Sequence, residues 1–218
     1  TRPPLDDLRQ TVPMDDPSDP PHLAAAWATA VGLGVVAAVA TWLANQVIVG
    51  SFADAPRPDD LLFELLPYLS PARWLTLVAL AAGIGVHLWA TLRAAPSTLP
   101  AAATAVALMY LLRAGMIVLT PLAPAYGEGI FVFPQEQFGT FPSGHTALLT
   151  LLALRVPDDQ PRLRTFQWSM VALMIAGLLL AHGHYSIDII GGMLLAYFVA
   201  TVWRHGRLFS PITRVTGL

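Results

Sequence analysis

Two short segments in the C-terminal third of the chain hold the residues best suited to chemistry. One is a Pro-Ser-Gly-His run that ends at His145 and opens an apolar stretch, and the other covers residues 182–188. His145 and His184 are 39 residues apart, which is about one helix across a membrane and one helix back. The spacing therefore predicts two imidazoles at one membrane face, with the Asp188 carboxylate beside His184.

The first segment has the pattern of a helix start. Ser143 precedes an apolar run, as an N-cap residue does, and the free backbone N–H groups and positive dipole end of a helix bind phosphate. Gly144 allows the backbone to approach an anion closely, and His145 falls on the first turn. We predict that Ser143 and Gly144 bind substrate and that His145 is catalytic. A histidine that only hydrogen-bonds at a helix start fits this segment, taken alone, equally well.

The second segment pairs His184 with Asp188 at a spacing that places both on one face of a helix. A carboxylate there fixes the imidazole tautomer and stabilises its positive charge. Ionisable groups in apolar spans are costly and by default mark function, although a polar pair that joins two helices is the alternative. Two histidines and one carboxylate also suit a metal, but the His-Gly-His spacing is not that of a standard site. We therefore expect neither a metal nor another cofactor.

The composition restricts the class of protein. Of 218 residues, 55% are hydrophobic and 12% are charged, about half the charged share of a soluble domain, which indicates an integral membrane protein. There is no cysteine, so disulfides, thiol nucleophiles and cysteine-ligated metals are excluded. All twelve cations are arginine, which excludes a Schiff-base lysine and a lysine phosphate clamp. The net charge of −2 indicates no particular partner; we expect the bilayer and lipids, and no nucleic acid.

The apolar runs predict an all-α, polytopic membrane protein with six transmembrane helices in one domain, residues 22–205. Polar tails, residues 1–21 and 206–218, flank this domain, and the first tail lacks the pattern of a signal peptide. The predicted spans are residues 23–53, 72–92, 99–122, 143–156, 165–184 and 187–203.

Two apolar segments are short. In the fourth span, the stretch from Gly144 to Val156 reaches about 20 Å against an apolar core of roughly 30 Å. His145 is therefore expected below the outer membrane surface. That depth suits a substrate whose tails stay in the bilayer. The other segment, residues 61–69, is too short to span and is expected at the interface, capped by Asp59 or Asp60.

The arginines predict the orientation, because cytoplasmic segments carry an excess of positive charge. Six spans place both termini on one side, and that side holds nine arginines against two on the other. The two histidine segments are therefore expected to face outward. The alanine-rich, lysine-free composition favours the inner membrane of a bacterium. The nine are Arg2, Arg9, Arg93, Arg155, Arg162, Arg164, Arg204, Arg207 and Arg214, and the two are Arg57 and Arg73.

The histidine segments resemble the signature of the type 2 phosphatidic acid phosphatase (PAP2) superfamily, which has Ser-Gly-His in one motif and His-x3-Asp in another. The later segment is similar, almost residue for residue, to a motif of the sphingomyelin synthase branch, and two upstream runs are similar to that branch more weakly. The resemblance covers roughly residues 50–205. The matching runs are Ser143-Gly144-His145, Leu180 to Ile189, Pro56-Arg57-Pro58-Asp59 and Tyr110-Leu111-Leu112-Arg113.

The resemblance implies a PAP2-like helical bundle and phosphoryl transfer through histidine. In the resembling family the histidine of His-x3-Asp attacks phosphorus, so His184 inherits that role, Asp188 orients it, and His145 acts as general acid and then base. The implied reaction takes the phospho-headgroup from a phospholipid donor and releases diacylglycerol. A phosphohistidine then passes the headgroup to a lipid alcohol acceptor, ceramide or diacylglycerol. The further residues expected to bind substrate are Arg113, His182 and Tyr185.

The chain departs from the family pattern at the cations. Phosphatases of the superfamily carry a Lys-x6-Arg-Pro motif and an arginine six residues before the nucleophilic histidine, whereas this chain has no lysine and has Leu178 at that position. A phosphate monoester brings close to two negative charges and a diester brings one, so the loss argues for a diester, with Arg113 as the remaining cation. Animal synthases have an acidic residue where this chain has Gly183, which leaves the headgroup open.

Two alternatives to the transferase remain. Water in place of the alcohol would give a phospholipase C-like hydrolase or a lipid phosphate phosphatase. A membrane scaffold or lipid-binding protein without turnover is the other, and the intact set of His145, His184 and Asp188 speaks against it. Glu128 and Glu136 are interpreted as part of a solvated loop. The sequence leaves the oligomeric state open.

Overall fold

The computed structural model describes residues 20–52, 54–125 and 139–205. These ranges are helical and contain no strand, which confirms the all-α prediction for this part of the chain. The loop glutamates Glu128 and Glu136 lie outside it, as do both ends of the chain. The helices are α1 (Pro20–Ser51), α2 (Leu61–Leu65), α3 (Arg73–Ala94), α4 (Leu99–Leu119), α5 (Gly144–Leu154), α6 (Pro161–Leu180) and α7 (Ser186–His205).

Helix length and composition support an integral membrane protein. Among the described residues four stretches are long and apolar enough to cross a bilayer. The remaining two predicted spans are apolar helices too, but they are shorter, at Gly144–Leu154 and Ser186–Val202. The prediction of six spans therefore stays a prediction for α5 and α7. The four stretches are His22–Ser51, Ser70–Ala94, Pro96–Leu119 and Pro161–Leu180.

The short helix α5 lies at the centre of the bundle. It packs against α6 and α7 and also contacts α3 and α4, while α1 packs on α4 and α3 packs on α6. Ala147, Leu149 and Leu151 have no exposed surface, because apolar side chains from several helices surround α5. The 11 residues of α5 span about 17 Å at the helical rise. Because most of α5 packs against other helices, the residues at its N-terminus have a fixed position.

Glycines allow the helices around α5 to approach closely. A Cβ at Gly192 of α7 would lie 2.6 Å from the Ser143 carbonyl oxygen, closer than side chains are found. Gly83 has the same role on α3: its Cβ would lie 2.7 Å from the Leu149 side chain. At Gly85, on the same helix, a Cβ would instead meet open space.

The segment expected at the membrane interface contains a helix that is shorter than predicted. α2 ends at Leu65 rather than at residue 69, and the chain then leads to a turn of 3₁₀ helix at Ser70–Ala72. Asp60 is its N-cap: the carboxylate accepts a hydrogen bond from the Leu62 amide at 2.9 Å. Of the two aspartates that the sequence offered as the cap, the structure selects this one.

We predict that Gly192→Ala lowers the free energy of unfolding by about 1–3 kcal/mol, because the added methyl group collides with backbone that cannot move aside. Thermal unfolding of the purified protein in detergent measures the effect. The matched control is Gly115→Ala on α4, where the added methyl group meets open space and helix propensity improves. Equal melting temperatures for the two variants would contradict the close α5–α7 contact.

Candidate active site

Ser143 begins α5, and its hydroxyl is directed to the helix. The Oγ atom accepts hydrogen bonds from the Thr146 amide at 3.4 Å and from the Thr146 hydroxyl at 3.1 Å, and the residue has no exposed surface. The predicted helix cap is therefore confirmed. His145 follows on the first turn of α5, and it lines a cavity.

The second segment is a turn between two helices. α6 ends at Leu180, because the chain enters the left-handed conformation at His182 (φ 47°) and the next amide donates back to the Leu178 carbonyl at 2.8 Å. α7 begins only two residues after His184. The predictions that the fifth span reaches His184, and that His184 and Asp188 share one helix face, are therefore wrong.

His184 and Asp188 meet through helix capping instead. Asp188 lies in the first turn of α7, and its Oδ2 accepts a hydrogen bond from the Tyr185 amide at 3.2 Å. The same oxygen lies 3.1 Å from His184 Nδ1. An acidic side chain that reaches back to the amide before its helix is one half of a capping box. The pair thus arises from the start of α7 and not from helical periodicity.

The contact with Asp188 defines the chemistry of the His184 ring. Asp188 has no exposed surface and His184 has 8%, so water competes little for this contact. A neutral imidazole beside the carboxylate carries its proton on Nδ1 and its lone pair on Nε2. His184 also lines the cavity that His145 lines, so Nε2 is the nitrogen available to a ligand there. The buried carboxylate stabilises positive charge that develops on the ring.

A backbone hydrogen bond joins the two segments. The Ser143 amide donates to the Asp188 carbonyl at 2.9 Å, which ties the start of α5 to the first turn of α7. The ring centroids of His145 and His184 are 6.0 Å apart, and the ring planes are inclined by 64°. Both imidazoles therefore face one ligand-sized space, as their spacing along the chain predicted.

Two guanidinium groups line the same cavity, whose volume is about 360 Å³. Arg113 donates from Nε to the Pro142 carbonyl and from Nη2 to the Gly139 carbonyl, both at 2.7 Å. Arg73 donates from Nε to the Ser70 carbonyl at 2.7 Å. The backbone thereby holds both cations on the cavity wall, where an anionic group would meet them.

Arg73 was missed as a site residue. From the sequence, Arg73 was counted only among the arginines of the outer segments, and Arg113 was the one remaining cation for the substrate phosphate. The cavity corrects that premise, since it is lined by both. The position of Arg73 could have revealed it, because Arg73 begins α3. The end of that span was expected on the same membrane face as the two histidine segments. A second guanidinium weakens the argument that this chain has lost its cation clamp.

Gly144 lines the cavity, and its lack of a side chain brings α4 close to the start of α5. A Cβ there would lie 3.2 Å from Arg113 Nε and 3.2 Å from the Tyr110 ring. Any larger residue would displace the guanidinium from its present place.

Three of the residues predicted to bind substrate do not line the cavity. The His182 ring stacks on Phe63, with centroids 4.2 Å apart. The Tyr185 hydroxyl donates to the Ala123 carbonyl at 3.2 Å, and the residue is buried. Ser143 caps α5. The side chains of all three are placed to hold the backbone of the site.

In the part of the chain that the structure describes, no three histidine, aspartate or glutamate side chains are grouped so that they could hold a metal ion. The prediction that the site needs no metal is not tested by this arrangement.

The fold and the site together define a helical integral membrane protein in which His145 and His184 line one cavity. Residues 141–206, which include both histidine segments, match the family model described as PAP2 superfamily C-terminal. The resemblance predicted from the two motifs is thereby confirmed for this segment.

Part of the chain is also similar to curated proteins that share one name. The chain is 30% identical over 112 residues to phosphatidylcholine:ceramide cholinephosphotransferase 1 of Caenorhabditis elegans. These matched residues cover 46% of this chain and 23% of that protein. It is 38% identical over 70 residues to the protein of the same name from Homo sapiens, 29% of this chain and 16% of that protein. The matched parts thus span less than a quarter of these relatives. No solved structure matches the chain.

We predict that Ser143→Ala destabilises the protein by about 1 kcal/mol, because the cap of α5 is lost, and leaves KM for any substrate of the cavity unchanged. Thermal unfolding and steady-state kinetics measure the two effects. The matched control is Thr150→Val on the same helix, which removes a buried hydroxyl that has no hydrogen-bond partner. A rise in KM without loss of stability would instead make the serine hydroxyl a substrate ligand.

Proposed function

We propose that the chain is a membrane phosphotransferase that moves the phospho-headgroup of a phospholipid to a lipid alcohol through a phosphohistidine. The carrying observation is that His184, paired with Asp188, and His145 face each other across a cavity lined by two arginines. The named activity of the curated relatives, phosphatidylcholine:ceramide cholinephosphotransferase, supports phosphatidylcholine as donor and ceramide as acceptor.

In the first half of the proposed reaction, Nε2 of His184 attacks phosphorus. The N–P bond forms, the P–O bond to diacylglycerol breaks, and protonated His145 gives its proton to the departing oxygen. Asp188 holds Nδ1–H and stabilises the positive charge of the phosphorylated ring. Arg73 and Arg113 stabilise the negative charge on the phosphoryl oxygens.

The second half returns the enzyme to its starting state. Neutral His145 takes the proton of the incoming hydroxyl, whose oxygen attacks phosphorus while the N–P bond to His184 breaks. Ceramide supplies this hydroxyl in the transferase, and the product carries the headgroup on its oxygen. None of these steps draws on a group other than the side chains named.

An apolar groove supports a lipid as substrate. The groove has a volume of about 610 Å³, lies between α1, α3, α4 and α5, and shares Thr41 and Tyr110 with the cavity of the histidines. On α4 it extends from Tyr110 to Leu99, about 17 Å along the helix. A long alkyl chain has this shape and this chemistry, and a water-soluble phosphate ester has neither.

Hydrolysis is the alternative, and Arg73 favours it. A second guanidinium on the cavity wall suits the nearly doubly charged phosphate of a monoester such as phosphatidic acid. With water in place of the alcohol the same phosphohistidine gives a lipid phosphate phosphatase, or a phospholipase C-like hydrolase from a diester.

For the membrane arrangement we propose that α5 and α7 complete six spans, so that residues 22–205 form one membrane domain with both termini inside. The ratio of nine arginines to two supports this orientation, with the cavity facing outward. The alanine-rich, lysine-free composition supports the inner membrane of a bacterium.

The reaction is tested by incubating the purified protein in mixed micelles with phosphatidylcholine labelled in its headgroup, with and without ceramide. Transfer of label to ceramide, with release of diacylglycerol, is expected, and activity is expected to survive EDTA. Labelled phosphocholine in place of labelled ceramide product would establish the phospholipase C-like hydrolase, and inorganic phosphate from phosphatidic acid would establish the phosphatase. Loss of activity in EDTA would contradict the metal-free mechanism.

We predict that His184→Ala lowers the rate of headgroup transfer by about 10³-fold or more, and that His145→Ala lowers it by about 10²–10⁴-fold. The two roles separate with p-nitrophenyl phosphocholine, whose leaving group needs no proton. This substrate should restore the first half-reaction to His145→Ala but not to His184→Ala. The control is His22→Ala, outside both cavities. Rescue of His184→Ala, or full activity in it, would overturn the assignment of the nucleophile.

We predict that Gly34→Leu raises KM for long-chain phosphatidylcholine about tenfold, because the side chain extends from open space into the apolar groove. KM for short-chain dihexanoyl phosphatidylcholine should not change. Gly32→Leu is the matched control. Gly32 lies two residues away on α1, a Cβ added there also meets open space, and the residue does not line the groove. Identical KM values for both variants would exclude the groove as a chain-binding site.

A further inference from the structure

We propose that residues 60–69 form a clamp that positions the His184 turn, residues 181–185, and that Asp60 is its principal positioning residue. The inference rests on the proposed function, in which His184 is the nucleophile. The clamp consists of Asp60, α2 and the stretch up to Leu69 that follows it. It precedes the turn by more than a hundred residues, so no local pattern links the two.

Asp60 connects two helix starts. One carboxylate oxygen accepts from the Leu62 amide of α2 at 2.9 Å, and the other accepts from the Ser186 amide at the start of α7 at 2.5 Å. Asp60 is 8% exposed, so both contacts are shielded from water. A buried carboxylate at a helix N-terminus makes strong hydrogen bonds and favours the dipole of that helix. It therefore fixes the chain two residues after His184.

Aromatic rings hold the other end of the turn. His182 stacks on Phe63 at 4.2 Å with an interplanar angle of 14°, and Tyr68 packs against the same imidazole at 5.3 Å. His182 has a φ of 47°, a conformation that costs a residue other than glycine about 1–2 kcal/mol. Contacts that retain the ring at this place therefore also retain the backbone bend that ends α6.

A third contact is made by the backbone. The Leu69 amide donates to the Leu180 carbonyl at 2.7 Å, at the last residue of α6. The clamp thus contacts the turn before, within and after the residues that bend. A catalytic group must be held within about 0.5 Å of its productive place, and a turn between two helices reaches this only when surrounding groups fix it.

The test compares Asp60→Asn with Asp59→Asn, the neighbouring exposed aspartate, in the full chain in detergent. For Asp60→Asn we expect kcat and the rate of phosphohistidine formation to fall by about 10–100-fold with KM little changed, since the turn is displaced and the cavity is retained. Asp59→Asn should behave as wild type. Wild-type kinetics in Asp60→Asn, or equal losses in both variants, would overturn the proposal.

Hydrogen exchange supplies a readout that does not depend on turnover. Amides of residues 184–188 should exchange faster in Asp60→Asn than in wild type or in Asp59→Asn, while those of the α5 core remain protected. Unchanged exchange at these amides would overturn the clamp even if activity falls. Faster exchange in a protein whose wild type transfers no headgroup would support the clamp and reject the proposed function instead.

Phe63→Leu is the second variant, for the case that Asp60→Asn does not fold. It keeps apolar volume beneath His182 and removes the stacked ring. We expect the same local gain in exchange and a several-fold loss of kcat. A purely structural role would lower the melting temperature and leave kcat of the folded fraction as in wild type.

Discussion

One backbone hydrogen bond, from the Ser143 amide to the Asp188 carbonyl, holds the two histidine segments in register. Both residues are without exposed surface, so water cannot replace either partner. Such a bond contributes only about 0.5–1.5 kcal/mol net, but a buried group left without its partner costs more. The close approach that the bond requires depends on Gly192, which leaves room for the Ser143 carbonyl. The facing arrangement of His145 and His184 follows from this contact.

The rest of the bundle supplies what that contact cannot. Most residues of the central helix α5 are buried, so its first turn has a fixed height and rotation. The start of α3 and the later part of α4 bring Arg73 and Arg113 to the cavity wall, and backbone carbonyl groups hold each guanidinium. The segment around α2 supports the remaining element, the bend that carries His184. The geometry of the candidate site is thus assembled from helix ends rather than from helix faces.

The helices and the site residues could be predicted because both leave local marks in the sequence. Apolar runs mark the spans, and Ser143 and Asp60 stand where capping residues stand. The end of α6 could not be predicted, since the apolar run continues past Leu180 and termination depends on the left-handed conformation at His182. The cavity position of Arg73 depends on how helices pack, and periodicity along one helix contains no information about that.

The clamp has a consequence for the order in which the site is built. The ribosome releases the N-terminal part of a chain before the C-terminal part. Asp60, Arg73 and Arg113 are therefore synthesised before α6 and α7. His184, the nucleophile of the proposed reaction, follows them in the final stage of synthesis. A nascent chain that stalls before residue 181 contains both arginines and the residues of the groove but lacks the proposed nucleophile.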